Sequence, residues 1–187
     1  MKKLKKGSVI ILDFGSQYTQ LIARRVRENN VYSEILHPDT SLDIIMSKNP
    51  KAIILSGGPA SVFTDDAPTF DENILNIEIP ILGICYGLHL LVHHNNGIVE
   101  STGKGEYGFA TLKINKTEGI FNNMSRSSKV WMSHMDQIRV IPKDWETIAY
   151  SSNNIVAALA NKDYTRIATQ FHPEVSHTEE GNILLNN

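Results

Sequence analysis

Cys85 is the only cysteine in 187 residues, and it stands in the stretch Ile81-Leu82-Gly83-Ile84-Cys85-Tyr86-Gly87. An apolar run leads into Gly-x-Cys-x-Gly, and a helical pattern follows. That order reads as a strand, a tight turn and a helix, with the thiol at the turn. A nucleophile elbow needs this layout: the glycines permit a sharp turn, and the side chain stands clear at the top of a sheet. The helix beyond it directs its first N–H groups and positive end at the sulfur, which favours thiolate. A lone cysteine is ordinarily a small buried hydrophobe; the paired glycines favour the nucleophile here.

A cysteine nucleophile needs a base, and the base needs an orienting group on its far nitrogen. Gln170-Phe171-His172-Pro173-Glu174 supplies both, after the apolar run Arg166-Ile167-Ala168-Thr169. In an extended segment alternate side chains share a face, which predicts that His172 and Glu174 point the same way. His172 is the candidate base and Glu174 its orienter. His-x-Glu alone is a weak pattern, common on solvated surfaces, and draws its weight from the elbow. A third element is Lys51-Ala52-Ile53-Ile54-Leu55 followed by Ser56-Gly57-Gly58-Pro59. Gly57 and Gly58 let backbone N–H groups face a ligand closely. The amides of Gly58 and Tyr86 are candidates for an oxyanion hole. Alone, Gly-Gly-Pro is an ordinary strand-ending turn; its place one strand before the elbow gives it meaning.

The elements that must position these residues alternate. Near-continuous Ile/Leu/Val runs predict strands at 8–12, 32–36, 52–55 and 81–84, with helices at 17–28, 41–48 and 86–94. That alternation argues for a parallel sheet covered on both faces. After Gly105 the pattern changes to short strands at 109–114, 130–133, 147–151, 155–161 and 167–171, several of them hairpin-linked and antiparallel. The expected architecture is α/β: an open mixed, mostly parallel central sheet flanked by helices, with a small antiparallel sheet. The site belongs at the carboxyl ends of the central strands.

Composition sets the outer limits. A chain of 187 residues is expected to form one domain over 1–187 and to bury roughly 70% of its unfolded surface. Hydrophobic content of 41% and net charge of −2 imply neither disorder nor a strongly charged partner. No apolar run approaches the roughly 18 residues of a membrane span. The opening Met1-Lys2-Lys3-Leu4-Lys5-Lys6 is basic, but the apolar run Val9-Ile10-Ile11-Leu12 is cut off by Asp13. It is too short for a signal peptide and reads as solubilising lysines before a first strand. One cysteine excludes an internal disulfide and fits a reducing cytoplasm.

Together these motifs resemble the class I glutamine amidotransferase domains of GMP synthetases. The resemblance runs along nearly the whole chain. Asp13-Phe14-Gly15-Ser16-Gln17-Tyr18-Thr19-Gln20-Leu21-Ile22-Ala23-Arg24-Arg25-Val26-Arg27-Glu28 is similar to that family's opening, and Ser56-Gly57-Gly58-Pro59-Ala60-Ser61-Val62 to its oxyanion loop. Gly83-Ile84-Cys85-Tyr86-Gly87 resembles its elbow. Val130-Trp131-Met132-Ser133-His134 and Gln170-Phe171-His172-Pro173-Glu174-Val175-Ser176-His177-Thr178 resemble its late motifs. The first and last blocks separate it from sister amidotransferases serving anthranilate or carbamoyl phosphate synthesis.

The resemblance implies a flavodoxin-like fold and a Cys85–His172–Glu174 triad that hydrolyses the side-chain amide of L-glutamine. Gly58 and Tyr86 would stabilise the oxyanion, and Gly57, His89, Ser133 and His134 would contact substrate. Ammonia would pass to an ATP-pyrophosphatase (synthetase) domain or subunit that converts XMP to GMP. ATP and magnesium belong to that partner, so this chain is expected to hold no cofactor and no metal. It is expected to be cytoplasmic, with no nucleic-acid or membrane partner. The synthetase portion, with its Ser-Gly-Gly-x-Asp-Ser loop, is absent from this sequence, which implies an excised domain or one subunit of a split enzyme. Arg24, Arg25 and Arg27 lie on an early helix. They read equally as a solvated face or as a docking surface, with Arg25 the partner-interface candidate.

Three positions depart from the family pattern. Leu88-His89 stands where Met-Gln is typical, which implies altered glutamine affinity. Met135 replaces a glycine in Ser-His-Gly-Asp, a place where glycine would permit a positive φ. His93-His94-Asn95-Asn96-Gly97 replaces an apolar residue and Gly-Gly. His89 and His93 are spaced to share a helix face, but two imidazoles without a third ligand make a poor zinc site. Two other function classes stand beside the first. One is a stand-alone γ-glutamyl hydrolase or peptidase. The other is a catalytically impaired regulatory subunit, for which His89 and Met135 are the only reasons.

Overall fold

The computed structural model describes residues 5–65 and 67–187; the basic start at residues 1–4 lies outside them. The chain begins with β1 (Lys5–Leu12), α1 (Thr19–Glu28), β2 (Val31–Leu36), α2 (Leu42–Ser47) and β3 (Pro50–Leu55). Then come β4 (Ile81–Ile84), α3 (Tyr86–His94), β5 (Ile98–Ile114), β6 (Ser127–Val140), β7 (Trp145–Ser151), β8 (Val156–Asn161), β9 (Arg166–Thr169) and α4 (Gly181–Asn186). The predicted elements before residue 95 all form, with ends shifted by a few residues.

Among the described residues nine strands join one sheet in the order β2-β1-β3-β4-β9-β8-β7-β5-β6. Pairing is parallel from β2 to β9 and antiparallel from β9 to β6. Two expectations are corrected. The antiparallel strands do not form a small separate sheet, and the whole sheet is not mostly parallel. The cause is β9, which pairs on one edge with β4 and on the other with β8, welding the two halves together. The short strands expected at 109–114 and 130–133 are pieces of a long β5–β6 ribbon that runs on through polar residues.

Side-chain alternation explains the two-sided core. Ile10, Leu12, Ile53 and Leu55 enter one cluster with Phe14, Ile45, Tyr86, Leu88 and Leu91. Ile11 and Ile54, one residue out of phase, enter another with Ile22, Ala23 and Val26 of α1. A strand with both faces buried must be apolar at every position, which is why these runs lack a polar phase. Helix α3 is buried from Tyr86 to Val92, so it forms a core layer, whereas α1 keeps Arg24 and Arg27 toward solvent. No helix among the described residues is long and apolar enough to cross a membrane.

Candidate active site

Three neighbouring parallel strands end at the same edge and deliver the three sequence motifs. Strand β3 ends before Ser56, β4 before Cys85 and β9 before Gln170. The register pairs Leu55 with Gly83 and Ile84 with Thr169. Residues 87 apart in sequence, Cys85 and His172, are thus brought together by one pair of adjacent strands. A cleft of about 580 Å³ opens over this edge, lined by Cys85, His172, Gly58, Tyr86, His89, Ser133 and His134 among others. That volume lies within the usual range for a small-molecule site.

The elbow departs from its expected geometry in one respect. The positive φ falls on Cys85 itself, at φ 53° and ψ −101°, and not on a flanking glycine. A non-glycine residue there is strained and is held only by its surroundings. The surroundings are explicit: the Cys85 amide donates to Thr169 O at 2.7 Å and the Gly87 amide to Ser56 O at 3.1 Å. The glycines serve close packing. A Cβ at Gly87 would stand 2.4 Å from Leu55 O, so the elbow presses directly on the end of β3. The thiol faces Ser133 O at 3.7 Å, and Gln170 Nε2 approaches it at 3.8 Å.

His172 Nδ1 lies 2.8 Å from Glu174 Oε1, and both residues are buried. Strand alternation is not the reason they meet. Residues 172–174 form a turn at Pro173, which folds the carboxylate back onto the ring. The turn is tied down by the His172 amide on Trp131 O at 3.1 Å and by Thr178 Oγ1 on His172 O at 2.7 Å. Burial works against a charged ring at His172, but hydrogen bonds to Cys85 and Glu174, with their charges, outweigh it. The imidazole is pushed up to about 10. Because Nδ1 faces a carboxylate, it carries a proton.

The other predicted residues divide. Gly58 and Tyr86 line the cleft beside the thiol. Gly57 lies just behind it: a Cβ there would stand 3.1 Å from His172 Cε1 and 3.6 Å from Cys85 Cβ. His89 Nε2 meets Gln170 Oε1 at 3.0 Å, and burial pushes it down to about 4, so it is neutral. His93, on the same helix, is exposed. Met135 takes no positive φ; it stays in β6 and sends an exposed side chain to the cleft mouth. Asn96 absorbs the third departure, ending α3 at φ 61°. Arg25 turns toward the site from α1: its Nε donates to Glu174 O at 3.0 Å.

Sequence reasoning gives Gln170 no role, although it contacts both Cys85 and His89. The signal that could have found it is its place between β9 and His172. Ser16, Tyr18 and Asp136 also line the cleft. Tyr18 packs its ring edge-on to His172 at 5.2 Å.

The fold and the site define an α/β protein with a cysteine elbow and a buried His–Glu pair, the constellation of thiol-based acyl transfer. Residues 10–187 match the family described as glutamine amidotransferase class-I, and the chain belongs to that family. It is 48% identical over 184 residues to a GMP synthase [glutamine-hydrolyzing] of Campylobacter jejuni, covering 98% of this chain and 36% of that protein. It is 53% identical over 180 residues to one of Brachyspira hyodysenteriae, covering 96% of this chain and 35% of that protein. The chain therefore spans about a third of the length of these relatives. A Thermoplasma acidophilum protein described as a GMP synthase subunit has a crystal structure that superposes with a TM-score of 0.81 at 29% identity, covering 95% of this chain and 89% of that one.

Proposed function

We propose that this chain hydrolyses the side-chain amide of glutamine through Cys85, His172 and Glu174, and passes the ammonia to a synthetase domain or subunit that aminates XMP with ATP. The observation that carries this reading is the β4–β9 register, which sets the strained Cys85 beside a base already held by a buried carboxylate.

Cys85 attacks the amide carbon as thiolate, forming the C–S bond while the carbonyl oxygen gains charge. The amides of Gly58 and Tyr86 meet that oxyanion. His172 gives its proton to the departing nitrogen, the C–N bond breaks, and a thioester remains. His172 then takes a proton from water, which attacks the thioester and releases glutamate. Glu174 keeps the Nδ1 proton in place throughout. The neutral His89 supplies a polar group in the cleft wall, held from behind by Gln170. ATP and magnesium act on the partner, and no step here needs a metal.

The test is ammonia release from glutamine by this chain at neutral pH, alone and with a synthetase domain. Release that disappears in Cys85→Ala supports the reading. No release under either condition, with the protein folded, rejects it.

A further inference from the structure

The triad chemistry leaves Gln170 unused, yet its carboxamide links two residues of the site. Its Oε1 lies 3.0 Å from His89 Nε2, and its Nε2 lies 3.8 Å from Cys85 Sγ. The side chain is fully buried, with His89 only 4% and Cys85 only 6% exposed. Gln170 does not line the cleft, so it reaches the sulfur from behind. The backbone fixes its place. The Gln170 amide donates to Ala157 O of β8 at 2.8 Å, and the residue before it, Thr169, accepts the Cys85 amide at 2.7 Å. One strand end thus holds both the backbone and the sulfur of the nucleophile.

Polarity gives the contact its direction. The sulfur must carry charge to attack, and a thiolate only accepts hydrogen bonds. Ser133 O stands 3.7 Å from the sulfur on the β6 side. It too only accepts, so that carbonyl suits a thiol and opposes a thiolate. A donor must offset it. His172 is one, but it gives its proton to the departing nitrogen. Gln170 Nε2 is the other, and a carboxamide donates at every stage without losing its proton. Turning the amide over would set Oε1 against the charged sulfur, two acceptors in a dry site. That arrangement suits a thiol, which is not the attacking form. With Nε2 on the sulfur, Oε1 accepts from His89 Nε2–H, and His89 locks the amide.

We propose that Gln170 is a catalytic residue: its carboxamide, locked by His89, donates an N–H to the Cys85 sulfur whenever that sulfur is charged. The inference rests on reading Cys85 as the nucleophile toward glutamine. The sulfur is charged twice in the cycle. It is a thiolate before the C–S bond forms. It becomes one again when water adds to the thioester carbon, the C–S bond breaks and the electron pair returns to sulfur. His172 is then engaged with the proton of that water, and Gln170 meets the leaving sulfur. His89 acts through Gln170 and is a positioning residue.

Gln170→Met keeps the length of the side chain and removes both polar ends. Glutaminase kinetics, with a synthetase domain present, should show kcat about tenfold lower and KM within about twofold. That is the loss of one hydrogen bond to a charged group from a residue outside the substrate wall. His89→Leu frees the amide and should also lower kcat, whereas His89→Gln, whose NH2 can hold the same Oε1, should keep it. In the Gln170→Met background His89→Leu should change kcat less than about twofold, because both act through one chain. An unchanged kcat in Gln170→Met, a loss confined to KM, or losses that multiply in the double variant overturn the proposal. Should Gln170→Met fail to fold, NMR of the side-chain NH2 of Gln170, assigned through its own backbone signals, decides. Its proton signal should move upfield from the unsubstituted chain to Cys85→Ala, where no sulfur accepts; an unmoved signal overturns the proposal. Absence of turnover with and without a synthetase domain rejects the glutamine reading, and the NH2 signal still judges the contact with sulfur.

Discussion

Arg25 Nε donates to the backbone carbonyl of Glu174 at 3.0 Å, bridging 149 residues of sequence. The same guanidinium pairs with Glu28 at 2.9 Å, and its side chain is only 19% exposed. Helix α1 therefore braces the turn that carries the orienter of His172. Arg25→Gln removes a charged donor from that carbonyl without touching the triad side chains. The expected result is a fall in kcat of about tenfold with KM within about twofold, because a displaced orienter weakens the transition state more than substrate binding. Arg25→Lys should not rescue it, since an ammonium cannot reproduce the fork that holds Glu174 O and Glu28 together. Steady-state glutaminase kinetics check this; an unchanged kcat would leave Arg25 to partner docking.

Gly57, in the loop that follows β3, sits against both His172 and Cys85. A methyl at this position would stand 3.1 Å from His172 Cε1, 3.5 Å from Ser16 Oγ and 3.6 Å from Cys85 Cβ. The contact with the ring is too short to keep, and the ring is the one member that can yield. Gly57→Ala is expected to lower kcat about a hundredfold by moving the imidazole a few tenths of an ångström. The loss of stability should stay near 1 kcal/mol, since a single methyl is added beside movable side chains. Kinetics set beside a thermal melt separates the two effects.

Ser61 Oγ donates to Asp136 Oδ2, tying the loop after Pro59 to β6 across the cleft mouth. The loop carries Phe63, which is 52% exposed yet lines the cleft. Ser61→Ala releases that tie while leaving Cys85, His172 and Glu174 untouched. KM for glutamine should rise about fivefold with kcat nearly unchanged, the loss of one hydrogen bond to a charged group. Limited proteolysis near Phe63 should quicken in the same variant; equal cleavage rates would show that the loop is held by other contacts.

Local patterns carried most of the fold into view. Runs such as Ile53-Ile54-Leu55 announce strands buried on both faces, and Gly-x-Cys-x-Gly announces the elbow, because each is decided within a few residues. The place of β9 was not legible: nothing in Arg166–Thr169 says that it pairs with β4 on one side and β8 on the other. The β5–β6 ribbon is visible in sequence only in its apolar parts, since its polar middle has no buried face to enforce alternation. An extended reading pairs His172 with Glu174, while a turn at Pro173 is what brings them together. Arg25 and Gln170 are not legible as braces because their partners lie 149, 85 and 81 residues away. Only the assembled sheet joins such pairs.

His89 gives the site an acid-sensitive element. It is 4% exposed, and burial pushes it down to about 4, with its hydrogen bond to Gln170 Oε1 and the charge of Asp136 opposing the shift. In the unfolded chain the same imidazole titrates near its ordinary value of 6.5. Between those two values the unfolded state holds a proton that the folded state does not, so stability rises with pH through this window. Its contribution is present in full above pH 6.5 and is lost as pH falls toward 4, by on the order of 3 kcal/mol. His89→Gln removes the titration and can keep a hydrogen bond to Gln170. Urea unfolding of the two proteins from pH 7 to pH 4 should show the variant losing less stability than the parent, with the gap opening below pH 6.5. Parallel curves would mean that His89 accepts its proton inside the folded cleft, and burial would no longer account for its neutrality beside Cys85.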